Sequence, residues 1–115
     1  MRVGIAEKDL LIAAELKDRV LLVEGARVRR IILFGSRARG DARPDSDFDL
    51  LVVLGGVTQE EVTSSRRSLY KALGYIRVSV EPWVMSEVEF EETKGVIGGL
   101  AYPAAREGVV LYENP

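Results

Sequence analysis

The chain of 115 residues contains no cysteine and no histidine. Their absence excludes disulfides, thiolate nucleophiles, Cys/His zinc sites, Ser-His-Asp triads and imidazole acid–base chemistry. Any metal must be held by oxygen, and oxygen donors suit Mg²⁺, Mn²⁺ or Ca²⁺. Long uncharged apolar runs are also lacking. The cluster from Leu10 to Ala14 is bracketed by Lys8, Asp9, Glu15, Lys17 and Asp18, which fits an amphipathic helix and neither a signal peptide nor a membrane span, and so predicts a cytoplasmic chain. A net charge of −2 supplies no global attraction to nucleic acid or to an anionic membrane, and neither is expected as a partner. The length is most economical as one domain over residues 1–115, large enough for a real core.

What is present reads as alternating helices and strands. Leu10, Ala13, Ala14, Leu16, Val20 and Leu21 recur at helical spacing between Ala6 and Val23, with Gly25 as a stop. Arg29 to Phe34 reads as a short buried strand closed by Gly35-Ser36, and Arg37 to Ser46 as a loop. Asp49 to Leu54 has no polar alternation and reads as a strand covered on both faces. Thr58-Gln59-Glu60-Glu61 is a capping box before a helix that Gly74 ends. A third strand is expected from Tyr75 to Met85, interrupted by Glu81-Pro82, and a second capping box, Ser86 to Glu89, opens an acidic helix. Ala101 to Glu107 suits a short helix and Val109 to Tyr112 a last strand. This order predicts an α/β (α+β) fold, a small mixed sheet flanked by helices. Apolar residues near Trp83 and Leu100 are compatible with a homodimer.

The chemistry concentrates between Leu33 and Val53. Asp47 and Asp49 stand two apart in an extended segment, so both carboxylates project from one face. Like charges so placed repel unless a cation lies between them. Gly35 permits close approach of backbone to a ligand, and Ser36 offers a hydroxyl and an amide to phosphate oxygens. Arg37 is the expected guanidinium partner of phosphate. A two-metal transfer site needs a third carboxylate, and Glu81, an acid inside an apolar run, is the candidate. A solvated strand end and an edge-strand Glu are the structural alternatives for these acids. The glycines at 35 and 40 lack the Gly-Lys-Ser/Thr ending of a P-loop and the middle glycine of a dinucleotide fingerprint.

Gly35-Ser36, ten residues, then Asp47-Phe48-Asp49 resembles the signature of the DNA polymerase beta-like nucleotidyltransferase superfamily, especially its minimal members in bacteria and archaea. The tail AYPAAREGVVLYE is similar to a common ending of those proteins. The resemblance implies a mixed sheet flanked by helices, Mg²⁺ on Asp47 and Asp49 with Glu81 as the third ligand and catalytic carboxylate, and triphosphate at Gly35 and Ser36. It implies transfer of a nucleoside monophosphate to a hydroxyl with release of pyrophosphate. Family members usually have Asp where Glu81 stands here. Many proteins this short resemble the antitoxin of HEPN/MNT toxin-antitoxin pairs, which adds AMP from ATP to a tyrosine of the HEPN toxin. The resemblance therefore implies ATP as substrate and a HEPN-type toxin as partner. Two alternatives remain open: an antitoxin that neutralises by binding, for which the acids at Glu87, Glu89, Glu91 and Glu92 offer a docking face, and nucleotidylation of a small molecule.

Overall fold

The computed structural model describes residues 5–74 and 76–114. Strands β1 (Val28–Phe34), β2 (Phe48–Leu54), β3 (Val80–Ser86) and β4 (Val109–Glu113) form one sheet in the order β3-β2-β1-β4. β1 runs antiparallel to both β2 and β4, whereas β2 and β3 are parallel. The sheet is mixed, as expected.

A parallel pair needs a crossover, and helix α3 (Gln59–Leu73) supplies it. Its Thr58 capping box is complete: Thr58 Oγ1 accepts from the Glu61 amide and Glu61 accepts from the Thr58 amide. Helix α1 (Glu7–Glu24) lies beside α3, and both cover the face bearing Phe48, Leu50, Val52, Ile31 and Leu33. The short helices α4 (Glu87–Thr93) and α5 (Ala101–Glu107) cover the other face, with Ile32, Phe34, Leu51 and Val53. Leu50 through Leu54 are completely buried, so the missing polar alternation of β2 reflects a strand between two helical layers.

Three details differ from the sequence reading. β3 begins at Val80, while residues 76–78 are bends whose Ile76 and Val78 pack against the core of the α1–α3 layer instead of extending the strand. Tyr75, the expected start of that strand, lies outside the described residues. Within the expected loop, Ser36–Arg39 forms one helical turn, α2, between Gly35 and a left-handed Gly40 at φ 85°. On α1, Leu10 is 45% exposed whereas Asp9 is buried.

Asp9 is buried because it faces Arg37. The Arg37 Nη1 donates to both Asp9 carboxylate oxygens at 3.3 Å. Nη2 donates to the Pro44 and Ser46 carbonyls at 3.2 and 2.9 Å. The guanidinium carbon also sits 4.6 Å from the centroid of the Phe48 ring. Arg37 thus ties the loop before β2 to α1, and its guanidinium is not free for the phosphate contact expected of it. At the other end of α1, buried Glu24 accepts from Arg27 at 2.6 Å and from Ser65 at 2.9 Å.

The acidic face of α4 is partly neutralised within the chain, since Glu87 lies 3.8 Å from Arg29 and Glu91 lies 2.6 Å from Lys94. Among the described residues no helix is long and apolar enough to cross a membrane.

Removing one partner of a buried pair leaves the other charge uncompensated. Asp9→Ala and Arg37→Ala should each lower the unfolding free energy by about 3 kcal/mol. The double variant should lose distinctly less than the sum, measured by urea titration of all four proteins.

Candidate active site

The site is built by strand register. Phe34 of β1 pairs with Asp49, and Asp49 pairs with Glu81 of β3, so the β1 exit and the β2 and β3 entrances meet at one end of the sheet. Strand alternation directs Asp49 and Glu81 to the face that carries Leu51 and Met85, under α4 and α5. Asp47 is exposed, whereas Asp49 and Glu81 are partly buried.

Gly35 has φ 78° and ψ −159°, a conformation essentially restricted to glycine. A Cβ there would lie 2.5 Å from Asp49 Oδ2. The Asp49 carboxylate therefore rests against the turn that carries Ser36. Sequence pattern alone suggested two separate roles for Gly35 and Asp49, yet they are parts of one contact.

The carboxyl of Asp49 is pushed above its ordinary pKa by burial first, then by the negative charges of Asp47 and Glu81. The Arg39 guanidinium and the Trp83 indole oppose this shift. Arg39, not Arg37, is thus the arginine whose charge is felt at Asp49.

Glu81 is held differently. Its Oε1 accepts from Tyr70 Oη at 2.5 Å and from Arg66 Nη2 at 3.2 Å. Arg66 Nε donates to the Pro82 carbonyl at 2.9 Å, and its guanidinium carbon sits 4.4 Å from the Trp83 ring centroid. Among the described residues no group of three acidic side chains is arranged to hold a metal ion. Asp47, Asp49 and Glu81 are brought to one end of the sheet, but Glu81 is turned toward Tyr70 and Arg66.

Arg66, Tyr70 and Trp83 were not legible as site residues. Arg66 and Tyr70 are one helical turn apart on α3, and Trp83 follows Glu81 by one strand repeat, but only the parallel pairing of β2 and β3 joins these local facts.

A strand pair carrying close acids beside a strained glycine turn is thus the candidate site. The family model described as nucleotidyltransferase domain matches residues 11–98, and the chain belongs to that family. Among solved structures, a candidate nucleotidyltransferase from Sulfolobus solfataricus is 25% identical, covering 93% of this chain and 82% of that one, with a TM-score of 0.62. A toxin-antitoxin complex with AMP-PNP contains a chain 18% identical, covering 88% of this chain and 73% of that one, with a TM-score of 0.54. The complex of tri-AMPylated HEPN toxin with MNT antitoxin from Shewanella oneidensis contains one 17% identical, covering 90% and 72%, with a TM-score of 0.50. The last two share the fold. No curated protein matches the chain by sequence.

Because the Asp49 pKa is raised on folding, its ionised form costs stability above that raised pKa. The cost vanishes below the ordinary value of 3.8, where the carboxyl is protonated in both states. Asp49→Asn should therefore melt higher than wild type at pH 7, with the gain fading toward pH 3, as followed by circular dichroism. Gly35→Ala should lose about 1–3 kcal/mol from backbone strain, before the cost of displacing the Asp49 carboxylate, measured by urea titration.

Proposed function

We propose that this chain transfers the nucleoside monophosphate of a triphosphate, with ATP the favoured donor, to an acceptor hydroxyl and releases pyrophosphate. The acceptor favoured by the reading is a tyrosine of a HEPN-type toxin. The observation that carries the proposal is the juxtaposition of Asp47 and Asp49 with the Gly35-Ser36 turn, at the end of the sheet where Glu81 also lies.

The donor set fits a hard cation. It is made only of oxygen, and the Asp49 carboxyl, raised first by burial, is raised further by repulsion from Asp47 and Glu81 that a divalent cation would relieve. Asp47 and Asp49 would hold Mg²⁺, which when bound supplies charge neutralisation for the triphosphate. At the Gly35 turn, where the Asp49 carboxylate occupies the side-chain position, the backbone would meet phosphate beside the cation, and Ser36 would add a hydroxyl. Glu81, through the carboxylate oxygen not engaged by Tyr70 and Arg66, would receive the proton of the acceptor hydroxyl. Arg39 would balance charge at the mouth of the site. The support for a toxin as acceptor is the fold shared with antitoxin complexes, one of which holds a tri-AMPylated HEPN toxin.

One observation favours a second reading, neutralisation by binding alone. Glu81 is engaged with Tyr70 and Arg66 and does not complete a three-carboxylate group with Asp47 and Asp49.

Calorimetric titration of ATP with Mg²⁺ distinguishes wild type from Asp47→Asn/Asp49→Asn. Metal-dependent binding is expected in wild type and should weaken by about 100-fold or more in the variant, since several kcal/mol of charge compensation are lost at about 1.4 kcal/mol per decade. Co-expression with the toxin supplies the other arm. If the double variant still restores growth as well as wild type does, binding alone suffices and catalysis is not the means of neutralisation.

A further inference from the structure

The group that Glu81 already holds is a tyrosyl hydroxyl of this same chain. Tyr70, on the last turn of α3, donates its phenolic hydrogen to Glu81 Oε1 at 2.5 Å and is 42% exposed. Arg66 fixes that oxygen from the other side at 3.2 Å. It is itself immobilised by the Pro82 carbonyl and by the Trp83 ring, and its guanidinium carbon lies 5.5 Å from the Tyr70 ring centroid. The Tyr70 hydroxyl is therefore held in a defined place. It lies beside the strand residue that pairs with Asp49, whose carboxylate feels the Glu81 charge.

Rotamer freedom would normally leave an exposed tyrosine poorly placed for reaction, and an oriented hydroxyl next to a carboxylate is what transfer to oxygen requires. We propose that Tyr70 is itself an acceptor, so that the chain nucleotidylates its own α3. The inference rests on the nucleotidyl-transfer reading above and adds a modification site to it. In the step, the Tyr70 phenolic oxygen forms a bond to the α-phosphorus of the triphosphate. The bond from that phosphorus to the oxygen bridging toward the β-phosphate breaks, and pyrophosphate leaves with that electron pair. The phenolic proton passes to Glu81. Atoms and charge balance with no oxidant or further reactant.

The geometry also limits the extent. Once its oxygen carries a phosphodiester, Tyr70 has no hydrogen left to donate to Glu81, and the attached nucleotide stays at the end of the sheet where another donor would enter. The reaction stops at one nucleotide per chain and leaves a chain with a covered site.

The test uses the full chain with Mg²⁺ and, in separate samples, ATP, CTP, GTP and UTP. Intact mass spectrometry should show a gain of one nucleoside monophosphate with at least one of them. Peptide mapping of the wild-type product should put it on Tyr70, and phosphorus NMR should show a protein-bound phosphodiester. Tyr70→Phe and Asp47→Asn/Asp49→Asn should gain nothing. Calorimetry of wild type with Mg²⁺ and a triphosphate whose α–β bridge cannot be cleaved separates nucleotide binding from transfer to Tyr70. If that analogue binds and the chain gains no mass, or gains it on another residue, Tyr70 is not an acceptor while the nucleotide site stands. If the analogue does not bind and no mass is gained, both readings fall. The wild-type peptide map decides the site even if Tyr70→Phe is poorly folded.

Discussion

The pairing of β2 between an antiparallel β1 and a parallel β3 is the constraint on which the rest depends. It sets Phe34, Asp49 and Glu81 in one row across the sheet, so the exit of one strand and the entrances of two others share an end. Parallel pairing is only reached through the α3 crossover, and α3 in turn brings Arg66 and Tyr70 to the edge strand. Site and fold are therefore consequences of the same register. A slip of one residue in β2 would turn Asp49 into the α1–α3 core and Leu50 toward the site.

Crowding acids at a sheet end works against folding, and the molecule carries this cost locally. Asp49 is pushed toward its neutral form by burial and by its acidic neighbours, with Arg39 and Trp83 as partial compensation. The strand behind it is among the most buried parts of the chain, from Leu50 to Leu54. On the adjoining loop, the Asp9–Arg37 pair fixes the carbonyls of Pro44 and Ser46 just before Asp47. Among the described residues no buried side-chain polar atom lacks a hydrogen-bond partner.

Much of the fold could be read from local pattern. The helix α1, the capping box of α3, and the unbroken apolar run of β2 each follow from spacing and residue type and are formed, although of the α1 stripe Ala13, Leu16 and Val20 are buried while Leu10 and Ala14 are exposed. The errors arise where a residue's burial depends on a distant partner. Asp9 reads as a solvated charge until Arg37 is known to face it, and Arg37 reads as a phosphate ligand until Asp9 is known to hold it. Ile76 and Val78 read as strand because their apolar character is visible and their direction is not.

By itself the sequence determined the element order, the mixed sheet, the oxygen-only donor set and the spacing of Gly35-Ser36 from Asp47-Phe48-Asp49, because these rest on residue type and on short-range periodicity. Tertiary structure alone decided that the Asp49 carboxylate lies against Gly35, that Arg37 belongs to the scaffold, and that Glu81 is held by Tyr70 and Arg66. Those facts depend on strand register and on a helix crossing to the sheet edge. Contacts of that range are fixed by the folded packing of the whole chain, and no window of local sequence encodes them.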